Sequence, residues 1–353
     1  MGLFRRGAST SDRSPADAPL TGVDALLADL DGVVYAGAGS LPYAVESLNR
    51  AAADGIGLGY ITNNAARTDA TVAAHLRELG LADTKPDDVV TSPQAAMRLL
   101  RDRIAPGSTV LVVGGDGLVV EVQKAGFTVT RSADDAPAAV VQGFAPEVGW
   151  KDLAEAAYAL ALPEDEGGIP WIATNTDWTL PQSRGIAPGN GTLVSAVHTA
   201  VGRLATVAGK PETPIFHEAV ARFGAQHPLF LGDRLDTDIA GAQAAGIPSA
   251  LVLTGIDRPK HLLAAPAHSR PTYILEDLRQ LFDPYPETVV DGDVTRVREA
   301  AVRIDGADLR LVSAGAQPID VVRAAAAAVW ASGRAIFGFR VDEALYADPF
   351  HRP

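Results

Sequence analysis

The chain has 353 residues, 47% of them hydrophobic and 21% charged, enough for two or three packed domains and unlike a disordered chain. Its formal net charge of -13, with no Lys/Arg cluster, argues against a nucleic-acid partner. There is no cysteine, which removes disulfides, thiolate metal sites and cysteine nucleophiles, and makes the cytoplasm the expected compartment.

Residues 1–19 read as a mobile polar arm, too short in apolar content for a signal peptide. Arg6 stands where a myristoylation motif wants Ser or Thr, and no run approaches the roughly 20 apolar residues of a membrane span, so no membrane insertion is expected. Short apolar runs then alternate with amphipathic stretches. They predict strands at 23–28, 57–61, 109–113, 139–142, 171–173, 229–231 and 249–253, and helices at 70–79, 93–101, 118–124, 150–160, 191–201, 214–223 and 239–245. Apolar runs joined by helices point to an α/β class with a doubly wound, Rossmann-like parallel sheet. Past Leu281 the character changes, with strand-like runs near Val289, at 309–312 and at 335–339, and an Ala-rich helix around 324–328. A domain boundary is expected there, setting off a small α+β appendage (281–353).

Chemistry concentrates where strands end, the place where open α/β sheets hold ligands. The first strand runs into Asp29-Leu30-Asp31-Gly32, which by itself is also good turn chemistry. The second ends in Thr62-Asn63-Asn64, a set able to bond phosphate oxygens or to cap a helix. Gly209-Lys210-Pro211 offers a placed cation. Gly232-Asp233-Arg234-Leu235-Asp236-Thr237-Asp238 gathers three acids whose repulsion asks for a divalent metal with oxygen ligands. Val112 to Gly117 lacks a nucleotide-loop fingerprint and reads as a strand-to-helix turn, and the seven histidines show no metal-ligand spacing.

In order and flanking residues, DLDGVVY (29–35), ITNNA (61–65), GKP (209–211) and GDRLDTDI (232–239) resemble the four motifs of the haloacid dehalogenase superfamily phosphatases. The resemblance extends over about 23–278 and implies a core (20–90 and 188–280) with an inserted α/β domain (91–187), which resembles the cap of the subgroup holding p-nitrophenyl, pyridoxal, phosphoglycolate and ribonucleotide phosphatases. The tail is similar to that of the actinobacterial glycerol 3-phosphate phosphatases. What the resemblance implies is a Mg²⁺-dependent phosphomonoester hydrolase of small phosphorylated metabolites, with Asp29 as nucleophile and Asp31 as general acid and base. It further implies that Thr62 and Gly32 hold phosphoryl oxygens, that Lys210 pairs with Asp29 and the phosphoryl group, and that Asp233, the Asp29 carboxylate and the Asp31 carbonyl form the metal site. Asp238 is implied to orient Lys210 or metal-bound water. Glycerol 3-phosphate, of glycerophospholipid metabolism, is the favoured substrate by resemblance alone, ahead of phosphoglycolate and pyridoxal 5′-phosphate.

In the insert, Ala173 to Gly185 corresponds to the loop that faces the leaving group in that family. Asn63, Asn175, Asp177 and Arg184 are the candidates for bonding a small polyol phosphate, while Trp178 keeps an aromatic leaving group open. A phospho-accepting signalling module is the alternative from another class, disfavoured by the insert and by Asp31. The tail resembles part of an acetyltransferase-like fold but has no Gly-rich cofactor loop, so packing, regulation or homo-oligomer formation is its expected role.

Overall fold

The computed structural model describes residues 17–65, 67–182 and 184–349. Most of the expected arm, residues 1–16, lies outside the described residues. Residues 17–20 are tied down: the Tyr285 N–H donates to the Asp17 carbonyl at 3.2 Å, and the Leu20 N–H donates to Leu281 O at 3.3 Å.

Six parallel strands form the central sheet, in the order Tyr273–Leu275, Ser249–Val252, Pro228–Gly232, Ala25–Ala28, Gly57–Thr62 and Val89–Thr91. The residues of Ala25–Ala28 are all buried, and successive side chains enter different apolar clusters. Leu26 and Ala28 pack with Tyr60, Leu229 and the helix Ala44–Ala53, whereas Leu27 packs with Ile61, Phe216 and Phe230. Both faces are therefore covered, which is why these strands read as unbroken apolar runs. The chain winds outward in one direction from Ala25–Ala28 and in the other from Pro228–Gly232. These two strands are neighbours, so their carboxyl ends flank the topological switch point, and Asp29 and Asp233 follow directly.

The insert carries its own five-stranded parallel sheet, ordered Thr206–Val207, Trp171–Ala173, Ala139–Gln142, Thr109–Val113 and Thr128–Thr130. Its apolar cluster includes Val194 and Val197 of the helix Asn190–Val201 together with Ala156 and Leu160. The insert's sheet thus takes in Thr206–Val207, which follows residue 187 in the chain. The strand Thr206–Val207 is only two residues long and gives little periodic signal, so the sequence alone does not assign it to the insert.

In the tail, Thr288–Asp291, Val294–Val297, Ala300–Asp305 and Asp308–Ser313 form an antiparallel meander, with Arg340–Val341 added in parallel to the last of these. The expected strand at 335–339 is instead a single turn, Ile336–Gly338. The Arg334 guanidinium bonds both Gly306 O (2.6 Å) and Gly338 O (2.7 Å) and wraps the segment around itself. The helix Pro318–Ala331 lies on the meander, and one apolar cluster joins Ile319, Ala325, Val302 and Leu309 to Leu251, Leu253 and Ile274 of the core. The tail is therefore packed onto the core sheet's edge.

One buried arginine of the helix Pro318–Ala331 ties the seam. Arg323, 5% exposed, donates to Asp320 at 2.9 Å, to Ile274 O at 2.7 and 2.9 Å, and to the Gln280 side chain at 2.9 Å. Arg298 also holds Asp320, at 2.9 Å, so loss of Arg323 leaves that carboxylate one cation but strips the buried Ile274 carbonyl and the Gln280 side chain of their charged donor. Arg323→Ala should cost about 3 kcal/mol, read as a lower thermal midpoint with faster proteolysis within the tail.

Candidate active site

Lys210 is the centre of the site. It is 4% exposed, and its Nζ lies 2.5 Å from Asp29 Oδ1 and 2.7 Å from Asp238 Oδ1. Asp238 arrives on a π-helical turn, Leu235–Ile239, that precedes the helix Ala240–Ala244; the sequence pattern signals a helix only from 239. Its other oxygen accepts the N–H groups of Asp233 (3.1 Å) and Arg234 (3.2 Å), so the carboxylate is spent on holding the motif and the lysine.

Asp233 is 1% exposed. Its Oδ2 accepts the Ile256 N–H at 2.6 Å, while Oδ1 is buried with no hydrogen-bond partner. Carboxylate oxygens of Asp29, Asp233 and Asp238 lie within 4.8 Å of one another. A hard cation with oxygen ligands fits this donor set, because Asp233 Oδ1 is otherwise an orphaned buried acceptor. Gly32 has φ +86, and a Cβ there would fall on the Asp233 carboxylate, so both the backbone and the space require glycine.

Burial dominates the electrostatics. It raises the pKa of Asp29, further raised by Asp238 and Asp31 and lowered by Lys210. It likewise raises that of Asp233, with Asp238 and Asp29 adding to the effect. Burial works against the charge of Lys210, but Asp238 and Asp29 outweigh it and hold its pKa above the ordinary value. Three carboxylates around one ammonium leave the cluster short of positive charge.

Asp31 is separate from that cluster and exposed at the residue level. The surrounding walls still desolvate its carboxyl and raise its pKa, against the opposing fields of Arg67, Lys210 and His75. Thr62 is buried at the end of its strand, its Oγ1 accepting the Asn64 N–H at 3.1 Å.

From the insert, Asp177 reaches the core and accepts from Asn63 Nδ2 at 3.1 Å. Burial raises its pKa, opposed by the Asn63 hydrogen bond, Lys210 and Arg234. Asn175 is 4% exposed and bonded at both ends of its amide, to Asn63 O (2.8 Å) and to the Asp177 N–H (3.2 Å). The structure therefore uses Asn175 to join insert and core. Arg184 lies in the turn between Thr179–Gln182 and Gly185–Pro188, exposed, and among the described residues no hydrogen bond or ion pair brings it to the cluster. Trp178 is 65% exposed, so its ring walls no closed slot. The sequence reading missed Arg234, which faces Asp177 and chelates Asp236 at 2.8 and 3.0 Å, although it directly follows Asp233. It also missed Arg67 and His75 beside Asp31.

Two family models match the chain, a haloacid dehalogenase-like hydrolase model over residues 26–128 and an HAD-hydrolase-like model over 207–281. The D-glycerol 3-phosphate phosphatase of Mycobacterium tuberculosis is 44% identical over 318 residues, covering 87% of this chain and 86% of that protein. The chain belongs to the haloacid dehalogenase-like hydrolases. A crystal structure of the M. tuberculosis glycerol phosphate phosphatase in complex with magnesium superposes with a TM-score of 0.81 at 41% identity, covering 92% of this chain and 94% of that one. The glycerol-3-phosphate phosphatase of Gallus gallus is 36% identical over 262 residues, covering 68% of this chain and 83% of its own. The protein is an enzyme, a phosphatase of that family, and its carboxylate cluster fits Mg²⁺, the cofactor of such phosphatases. No described helix is long and apolar enough to cross a membrane.

The raised carboxyls set a pH signature. A carboxyl whose folded pKa exceeds its unfolded value stabilises the fold at low pH and loses that contribution as pH rises through the folded pKa. For Asp29 and Asp233 the window runs from 3.8 to about 7 and about 8. In EDTA the thermal midpoint should therefore fall between pH 6 and 8, and the rise in midpoint on adding Mg²⁺ should be larger at pH 8 than at pH 6.

Proposed function

We propose that the protein hydrolyses small phosphomonoesters through an aspartyl phosphate on Asp29, with glycerol 3-phosphate as the favoured substrate. The observation that carries the reading is Lys210, buried between Asp29 and Asp238 beside the unpartnered oxygen of Asp233. An Asp29 carboxylate attacks an anionic phosphoryl group only where positive charge offsets the repulsion. Lys210 supplies one charge. A Mg²⁺ held by Asp29, Asp233 and the Asp31 carbonyl would supply the rest of the neutralisation and orient the phosphoryl oxygens.

Asp29 Oδ bonds to phosphorus as the ester P–O bond breaks, and the departing alkoxide takes a proton from Asp31. A raised pKa suits that step, because the acid must still hold its proton when the alkoxide leaves. Asp31, now ionised, takes a proton from water as the water oxygen attacks phosphorus, releasing phosphate and restoring Asp29. Thr62 and the backbone around Gly32 hold the phosphoryl oxygens. Receiver-type signalling fits poorly, since a second acid at the site would hydrolyse the phosphoryl group such a module must keep.

Glycerol 3-phosphate is supported by the names of the M. tuberculosis and G. gallus relatives and by the polar loop of the insert, with Asp177 rather than an apolar slot nearest the core.

Turnover of p-nitrophenyl phosphate should require Mg²⁺ and disappear in EDTA, and Asp29→Asn should lower kcat at least about 10³-fold. Turnover that survives both treatments would sink the reading. Asp31→Asn should lower kcat about 10²- to 10⁴-fold while leaving Mg²⁺ affinity, measured by calorimetry, within about threefold. A panel of glycerol 3-phosphate, phosphoglycolate and pyridoxal 5′-phosphate should show the highest kcat/KM for the first.

A further inference from the structure

Asn63 and Asp177 are expected from sequence to face substrate, yet their bonds run toward each other and toward the lysine. The Lys210 N–H donates to Asn63 Oδ1 at 2.8 Å, and Asn63 Nδ2 donates to the Lys210 carbonyl at 3.0 Å. One side-chain amide thus occupies both backbone groups of the lysine, as a neighbouring strand would. These two partners also fix the orientation of the amide, since the N–H needs its oxygen and the carbonyl its nitrogen. The remaining Nδ2 proton goes to Asp177. The main-chain carbonyl of Asn63 accepts from Asn175 Nδ2 and Ser92 Oγ, each at 2.8 Å.

Lys210 needs such a clamp because of where its segment comes from. It lies three residues past Thr206–Val207, which belongs to the insert's sheet, and the Ala208 N–H still donates to Ala173 O at 2.9 Å. Gly209 passes so close that an added Cβ would meet Asn63 Oδ1 at 2.5 Å and Thr174 O at 2.6 Å. The lysine is thus carried on the chain's return from the insert, while its Nζ must fit between Asp29 and Asp238 of the core.

We infer that Asn63 is a positioning residue that couples the seating of the 174–178 loop on the core to the placement of Lys210. When Asp177 is seated, both Nδ2 protons are used and the amide is fixed against the lysine backbone. When the loop lifts, the amide loses one of its three partners and the clamp loosens. The kinetic half of this inference rests on the phosphatase reading, and the structural half does not.

The test uses the full chain with Mg²⁺ and the variants Asn63→Ala, Asn63→Asp and Asp177→Ala. Hydrogen exchange at the Lys210 amide needs no turnover. It should accelerate at least about 3-fold in Asp177→Ala, although Asp177 makes no hydrogen bond to that amide. Unchanged exchange there would overturn the coupling. With p-nitrophenyl phosphate, Asn63→Ala should lower kcat about 10- to 100-fold with KM within about threefold. The isosteric Asn63→Asp, which loses both N–H donations, should show the same loss and covers the case of an unfolded alanine variant. The Asn63→Ala/Asp177→Ala double variant should be no slower than Asn63→Ala alone, and losses that multiply would overturn the inference. A parent protein without phosphomonoester turnover would sink the phosphatase reading instead, leaving the exchange experiment to decide the coupling.

Discussion

Charge balance around Lys210 is the constraint on which the rest of the site depends. Three carboxylates, those of Asp29, Asp233 and Asp238, share a buried volume with one ammonium. Burying ions that are not paired is costly, so the arrangement depends on each group having a defined partner or being placed to hold a cation. Asp238 spends its oxygens on Lys210 and two backbone N–H groups, Asp29 leans on Lys210, and Asp233 keeps one oxygen unbonded. The glycine at position 32 and the π-helical turn at Leu235–Ile239 bring these groups close enough to need one another.

The core of this arrangement is legible in the sequence because parallel strands buried on both faces are continuous apolar runs, and their ends are abrupt. Asp29, Thr62 and Asp233 each stand where such a run stops. Lys210 is harder to place, since its strand is two residues long and belongs to the insert. The same short strand hides the true extent of the insert's sheet. The strand Ala300–Asp305 escapes notice because it shows no sustained alternation: Ala300, Ala301 and Val302 are all buried, and only Arg303 and Asp305 are exposed.

In the insert the sequence shows chemical type alone, and type does not tell where a side chain points. Asn175 has the right functional group for a substrate hydroxyl but is consumed by backbone groups on either side of the domain seam. Arg184 has the right charge but sits in an exposed hairpin turn. Arg234 and Arg67, which do act on the carboxylates of the cleft, lie beside motif residues, where attention to the acids conceals them.

The return strand Thr206–Val207 has a consequence for how such enzymes diversify. Because it is hydrogen-bonded into the insert's sheet and leads within three residues to Lys210, the insert also supplies the mooring of the charge that sits between Asp29 and Asp238. Exchanging the insert for another would move that mooring as well as the 174–178 loop. A chimera made by cutting at the apparent domain boundary near residue 187 would sever the lysine from its support, whereas one that keeps 206–211 with a matching edge strand would preserve it.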